Sequence, residues 1–418
     1  MAIMRKRKPY TSTAVPAPRP VAVEQQGAAP VAEVSASFRN FVASGQQLFF
    51  DIATLREPQF TGIPNVAASL AQEIIDSDLP CSFFIGENII KRDYLRFLLG
   101  SNSGSYFAYH HQLGSTIEGG LLQQVQAASR SVGLFPAEKP FHRLFDFEVQ
   151  VIHDLSTITT PYFHTAATNK LHGEALLNDI ASNDLNICVS EATAAYLRVL
   201  NAADPGSVVV AHNGVRWSDY FRQRYDALFG RVNMEPYVVI LGTIEPRKNL
   251  EVVLRALGQD ADLLARYKYI FLGKAGWLLD FNESVKRNLG HLPDNVIYPG
   301  FVSEFKKYCL LRRARFTIYP SLYEGFGLPI LEAHSLGVPT VFSVATSMPE
   351  VGNGSPYGFD PLDANSLLAS IYRVETDLAA SPQAMEANCM RWAERFSWQA
   401  MLSTILDSIT TRATEAAA

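Results

Sequence analysis

Two successive blocks of alternating strand and helix signals predict an α/β protein of two doubly wound domains facing each other across a cleft. Three observations carry this expectation. Short apolar runs recur along the chain, most closed by a turn and followed by apolar residues at helical spacing. A polar, aromatic stretch without clear period, at about 216–235, divides the runs into two blocks. The chain has 418 residues, 48% hydrophobic and 18% charged, which suits two to three globular domains with sizeable cores.

The first block begins near Phe38. Leu48–Ala53 is a buried-strand candidate, Phe60–Asn65 is a turn, and Val66, Leu70, Ile74 and Ile75 recur as on a helix. Cys81–Ile85 is the next strand candidate. Residues 92–145 give no clear pattern beyond a loop at Ser101–Gly104. Strand signals return at Glu148–Ile152, with His153-Asp154 at the strand's end, then a loop at Pro161–His164 and a helix over 166–182. Leu185–Val189 reads as a strand, Ser190 as the cap of a helix opening at Glu191, and Val208–Ala211 as a strand closed by His212-Asn213-Gly214.

The second block has strands at Tyr237–Leu241, Tyr269–Leu272, Asn295–Tyr298, Phe316–Tyr319 and Thr340–Phe342. Helices are predicted over 249–258, 304–312, 329–336, 364–377, 382–395 and 399–412. The expected domains are therefore 38–218 and 236–398, preceded by a disordered tail at 1–37 and followed by a helix over 399–418 that returns to the first domain. In doubly wound sheets ligands sit outside the carboxyl ends of the strands, so the cleft is the expected site.

Composition removes several function classes. With 36 basic and 41 acidic residues the formal charge is −5, which excludes a globally basic nucleic-acid binder. In the tail, five basic residues against two acidic give +3, leaving −8 for the rest. Arg5–Lys8 is not followed by an apolar segment, so the tail does not read as a secretory signal; it reads as a solubilising leader or a weak anchor to an anionic membrane face. No run approaches the roughly 18 apolar residues of a membrane span. Cys81, Cys188, Cys309 and Cys389 are scattered without a C-x-x-C pair, Cys188 and Cys309 reading as buried thiols, and a reducing cytoplasm is the simplest setting.

The strongest chemical signal is Ser321–Glu332, read as Ser-Leu-Tyr-Glu-Gly-Phe-Gly-Leu-Pro-Ile-Leu-Glu. Gly325 and Gly327 allow close backbone approach to a ligand, and Pro329 fits a first helical turn. The free N–H groups there, with the helix dipole, favour a phosphate. Glu324 in the loop and Glu332 one turn inside the helix are offset along it, so that each can hold hydroxyls of a different sugar ring. The second signal is Gly242-Thr243-Ile244-Glu245-Pro246-Arg247-Lys248-Asn249 after a strand. Two cations at a helix N-terminus are unfavourable unless an anion binds there, and an Arg fork beside a Lys suits a diphosphate. Asp260-Ala261-Asp262 reads as helix N-cap chemistry, and His110-His111 as a loop pair, so no metal site is expected.

These segments resemble the retaining GT-B glycosyltransferases of family 4, enzymes that use nucleotide-sugars. The resemblance rests on Glu324 and Glu332, the 245–249 turn, Gly273-Lys274-Ala275-Gly276-Trp277 and Pro299–Ser303, and covers most of 236–398. It is weaker at Gly62, His153-Asp154, Val189-Ser190-Glu191 and His212-Asn213-Gly214. It implies a GT-B fold of two Rossmann-like domains, with a donor domain at 236–398 and an acceptor domain at 38–218. It also implies that Arg247 and Lys248 bind the donor diphosphate, that Glu332 holds the ribose, and that Glu324 lies beside the donor sugar. The amides of Phe326, Gly327 and Leu328 would meet sugar or phosphate oxygens, and backbone near Val302 the base. Gly62 would approach the diphosphate from across the cleft, Gly242 would be among the donor-binding residues, and His153 would contact the transferred sugar near its C6 hydroxyl. A core histidine bonded to a carbonyl is the other reading of His153.

The Glu-Pro-Arg-Lys-Asn, Gly-Lys-Ala-Gly-Trp and His-Asp-Leu elements look most like bacterial mannosyltransferases of polysaccharide assembly, favouring GDP-mannose as donor over a UDP-sugar. The expected acceptor is a glycan or lipid-linked oligosaccharide, with no metal and no nucleic acid involved and peripheral membrane association giving the tail a use. The competing classes are a nucleotide-sugar epimerase and a non-catalytic nucleotide-sugar-binding module. His334 stands where a small or thioether residue is expected, without a functional reading.

Overall fold

A computed structural model describes residues 31–57, 62–100, 116–200, 202–229 and 235–415. Its α/β architecture is two sheets, each covered by helices. The first sheet contains β1 (Gln47–Asp51), β2 (Cys81–Ile85), β3 (Asn88–Ile90), β4 (Ile117–Gly120), β5 (Ser131–Phe135), β6 (Phe147–Ile152), β7 (Leu185–Cys188) and β8 (Val208–Val210), in the spatial order 4-3-2-1-5-6-7-8. Neighbours are parallel except β2/β3 and β3/β4. The second sheet contains β9 (Tyr237–Leu241), β10 (Lys268–Leu272), β11 (Val296–Gly300), β12 (Phe316–Tyr319), β13 (Thr340–Ser343) and β14 (Gly358–Phe359), all parallel, in the order 11-10-9-12-13-14. The order reverses at β1 in one sheet and at β9 in the other. Those switch points open crevices at the strands' carboxyl ends.

The central strands are apolar on both faces because helices cover both. Every residue of β9 is buried, Tyr237 and Leu241 included, as parallel sheets require. A core around Val238, Ile240, Leu254, Phe271 and Ile318 fills the second domain. The first domain's core runs through Leu48, Phe50, Leu70, Ile74 and Leu134, and is completed by the far end of the chain. Helix Trp398–Glu415 packs on helices Val31–Ala43 and Gly62–Asp76, burying Met401, Leu402, Ile405, Leu406 and Ile409. Burial of each such aliphatic side chain is worth about 1.5–3 kcal/mol.

Several expectations are corrected. The tail boundary at residue 37 gives way to a helix from Val31, on which Phe41 is buried and Ser37 donates to Asp407 at 2.7 Å; residues 1–30 lie outside the described residues. The stretch taken as a linker contains helix Asp219–Phe229. Its aromatic residues Trp217, Phe221 and Tyr225, four apart, pack on Tyr308 of helix Glu304–Arg312. The unread 92–145 segment supplies a helix (Arg92–Gly100), β4 and β5; its Ser101–Gly104 loop and His110-His111 lie outside the described residues. The single helix expected over 166–182 is broken by a π-helical turn at Asn169–Gly173. The turn expected at 60–65 is, from Gly62 onward, the first turn of helix Gly62–Asp76. Cys309 is half-buried rather than buried, whereas Cys188 is fully enclosed; all four cysteines are free. Asp260 caps helix Ala261–Arg266 by accepting from the Leu263 amide at 2.9 Å.

Candidate active site

Between the two sheets lies a cleft of about 440 Å³, within the range of small-molecule sites. Its lining comes from segments that follow strand carboxyl ends: Gly62 after β1, His153 after β6, Gly242 after β9, Val302 after β11 and Glu324 after β12. All eleven residues singled out from the sequence line it: Gly62, His153, Gly242, Arg247, Lys248, Val302, Glu324, Phe326, Gly327, Leu328 and Glu332.

Glu324 is the electrostatic centre. Lys248 Nζ donates to its Oε1 at 2.6 Å, and Arg247 Nη1 lies 3.2 Å from its Oε2. Burial pushes the Glu324 carboxyl up, but the two cations outweigh burial and hold it at about 2. Arg247 also donates to Glu245 Oε1 at 2.8 Å and to the Tyr323 carbonyl at 3.0 Å. Burial raises the Glu245 carboxyl despite that guanidinium. The Arg247 Nε is buried with no partner among the described residues. Burial also lowers Lys248, against the pull of Glu324. The turn carrying both cations is pinned by Asn249, which takes a left-handed conformation (φ 53°) and donates through Nδ2 to the carbonyls of Pro320 and Pro361.

The loop from Glu324 to Gly327 is held by its carbonyls. Ser347 Oγ lies 2.9 Å from the carbonyl oxygens of both Glu324 and Phe326. The Gly325 carbonyl accepts from Ser190 Oγ at 2.6 Å and Thr193 Oγ1 at 3.1 Å, both in the other domain. Gly327 then turns the chain at φ 110°, a conformation that favours glycine, and opens helix Leu328–Ser335 with Pro329 in its first turn. Pro329 has no N–H and the Ile330 N–H donates to the Gly327 carbonyl at 3.0 Å, so at this helix start it is the Leu328 N–H that can meet a ligand. Glu332 lies one turn further on; burial raises its carboxyl, partly offset by Lys307.

His153 makes the carbonyl bond of its second reading and also faces the cleft. Its Nε2 lies 2.6 Å from the Pro136 carbonyl, which can only accept. That bond fixes the Nε2–H tautomer, and burial favours the neutral ring. The domains make further contacts. Glu350 accepts from the amides of Glu191 and Ala192 at 2.9 and 2.8 Å, and Trp277 Nε1 donates to the Phe163 carbonyl at 2.8 Å.

Sequence reasoning gave no role to Glu245, Tyr319, Trp277, Lys274 or Lys307, all of which line the cleft. Glu245 and Trp277 lie inside motifs already marked. Lys307 had only its position one turn after Glu304 as a signal. His334 has a structural role: it is fully buried with Nε2 3.0 Å from Ser355 Oγ, while that hydroxyl donates to the Thr340 carbonyl. Nε2 is therefore the donor, and Nδ1 is left without a partner.

A pH dependence of stability follows. Burial lowers His334 from 6.5 to about 3, so the unfolded chain binds one more proton than the native state between those values. Stability is full above the upper value and falls with pH below it, by about 1.4 kcal/mol per unit for one unmatched proton. Glu324, held below its ordinary value of 4.5, adds to the loss as pH falls further. Denaturant unfolding of His334→Met should show a shallower acid loss than wild type between about pH 6 and 4.5; parallel curves would contradict the buried, neutral histidine.

A family model described as "Glycosyl transferases group 1" matches residues 221–389. O-antigen chain mannosyltransferase B of Escherichia coli is 32% identical over 271 residues, covering 62% of this chain and 68% of that protein. Serotype-specific mannosyltransferase WbdA of Escherichia coli is 30% identical over 183 residues, covering 43% of this chain and only 22% of WbdA. Among solved structures, a sucrose-phosphate synthase from Thermosynechococcus elongatus superposes with a TM-score of 0.61 at 17% identity, covering 89% of this chain and all of that one. At that identity the likeness is one of fold.

Proposed function

The chain belongs to the glycosyl transferases group 1 family, and on that premise we propose that it is a retaining, family 4 enzyme moving mannose from GDP-mannose onto a glycan or lipid-linked oligosaccharide in bacterial polysaccharide assembly. Its two Rossmann-like domains form the GT-B fold. The observation that carries the reading is the single cleft in which Arg247, Lys248 and Glu324 meet the N-terminus of helix Leu328–Ser335, with Glu332 one turn beyond. Mannose is supported by the names of the two Escherichia coli relatives.

In this reading the donor diphosphate lies between Arg247, Lys248 and the Leu328 amide at the helix start, and Glu332 accepts from the ribose hydroxyls. As the bond from sugar C1 to the phosphate oxygen breaks, negative charge grows on the leaving nucleotide and positive charge on the ring. Fixed cations and amides aimed at that phosphate lower the barrier. The acceptor hydroxyl attacks C1 from the face the phosphate leaves, and its proton passes to a leaving-phosphate oxygen. Glu324 is not the nucleophile: both its oxygens are engaged by cations, and a carboxyl held at about 2 is a weak base. It instead fixes the two cations beside the sugar. No residue on this route requires a metal.

The test is turnover of GDP-mannose and UDP-sugars with wild type and Glu324→Ala. Transfer or slow donor hydrolysis by wild type, lost in the variant, supports an enzyme of this kind. Equal turnover by both would remove Glu324 from the machinery, and donor binding without turnover would favour a binding module. The membrane face is a natural place for a lipid-linked acceptor; among the described residues no helix is long and apolar enough to cross a membrane.

A further inference from the structure

Glu332 is not an isolated carboxylate at the nucleoside end of the cleft. Its Oε1 lies 2.8 Å from Lys307 Nζ, and the same ammonium lies 3.0 Å from Glu304 Oε2. Lys307 sits on helix Glu304–Arg312, which begins directly after Phe301 and Val302, and all five side chains line the cleft. Below the ammonium is the indole of Trp217, with Nζ 5.4 Å from the ring centroid. Trp217 Nε1 donates to Ser335 Oγ, which in turn donates to the Glu332 carbonyl. The ammonium is thus held from three sides, and its side chain is only 13% exposed.

We propose that Lys307 is the positioning residue of the donor-nucleoside pocket: it keeps Glu332 ionised and aimed, and ties it to the segment that meets the base. The inference rests on the reading of Glu332 as the ribose ligand. The physical reason is the sharing of one cation by two carboxylates. Burial and the neighbouring Glu304 charge both raise the Glu332 carboxyl, and Lys307 opposes them. No other described cation is directed at Glu332. Helix Pro382–Ala393, packed on the same helix, turns Glu386 to Arg312 at 3.4 Å; Glu350, on the neighbouring helix, is bound to amides of the other domain. On helix Asp219–Phe229, Arg224 lies over the Phe305 ring and Arg222 pairs with Asp219. Without Lys307, Glu332 takes up a proton at a higher pH, and a protonated carboxyl cannot accept from two ribose hydroxyls through both oxygens alike.

The experiment measures GDP and UDP affinity of the full chain by calorimetry for wild type, Lys307→Met and Lys307→Arg, from about pH 8 to 5.5, as the ratio of variant to wild-type Kd at each pH. The ratio cancels titration of the diphosphate itself. For Lys307→Met it should be about ten at the alkaline end and grow about five-fold or more at the acid end, because a one-unit rise in a required group's pKa can cost up to ten-fold in its ionised fraction. Lys307→Arg should stay within about three-fold and flat, since it restores the charge. A Lys307→Met ratio constant with pH, or Lys307→Arg as weak as Lys307→Met, would assign Lys307 to packing and overturn the proposal while leaving the nucleotide site intact. Wild type binding neither nucleotide would remove the ribose reading of Glu332 and this inference with it. If Lys307→Met does not fold, Lys307→Gln serves the same comparison.

Discussion

Lys248→Ala should lower turnover about 10²–10³-fold, the loss found when one preorganised donor to a developing negative charge is removed. Lys248 is the closer of the two cations on Glu324, at 2.6 Å, and it is buried, so its charge acts with little solvent screening. Two consequences separate this from a general loss of fold. Glu324 keeps Arg247 as partner, so the protein should still unfold cooperatively, though breaking a buried pair can cost about 3–5 kcal/mol. Its carboxyl, held at about 2 by both cations, should rise, so acid inactivation begins at higher pH than in wild type. Rate measurements on folded variant across pH test both. Near-normal turnover would sink the leaving-group role of Lys248.

Gly325→Ala should lower turnover about 100-fold by a different route, the misplacement of groups by an ångström or so. A Cβ at Gly325 would lie 1.6 Å from the His153 carbonyl oxygen and 2.8 Å from Asp154 Cβ. The obstacle is backbone of the opposite domain, which cannot rotate aside as a side-chain tip can. To admit the methyl group the domains must separate or the loop must retreat, and either change breaks the bonds from Ser190 and Thr193 to the Gly325 carbonyl. If Glu332 and the Val302 segment, both of one domain, hold the nucleotide as proposed, its affinity should fall less than turnover does. Steady-state rates together with GDP or UDP binding to the same variant check this. Full activity would show that the observed domain contact is not needed in the catalytic state.

The parts of this protein that could be read from sequence are those whose causes are local. Strands such as Tyr237–Leu241 are continuous apolar runs, because parallel strands are buried on both faces. The Glu324–Glu332 segment is legible because a glycine at φ 110°, a proline in the first turn and two carboxylates each have their own chemical reason. The misses have tertiary causes. Helix Asp219–Phe229 is polar enough to pass for a linker, and only docking on Tyr308 gives Phe221, Tyr225 and the preceding Trp217 a surface to pack on. Helix Val31–Ala43 lies in an alanine- and valine-rich stretch of weak pattern, and packing against helix Trp398–Glu415, some 370 residues away along the chain, gives it a face to bury. Lys307 could not be singled out because its importance comes from meeting Glu332 across two helices. The His334 ring, unexplained in the sequence, is accounted for by a serine 21 residues later.

A cleft that binds a nucleotide-sugar donor with Glu332 on its ribose should also bind the free nucleotide. The most direct test is thermal stabilisation of the full chain by GDP, UDP and ADP, with Glu332→Ala alongside. A ligand present at 100 times its Kd adds about 2.7 kcal/mol, a shift that is easily resolved. GDP should stabilise wild type, with the effect absent or much reduced in Glu332→Ala. Stabilisation by UDP alone would keep the site but overturn the mannose donor. GDP stabilisation of equal size in wild type and Glu332→Ala would contradict the placing of Glu332 on the ribose.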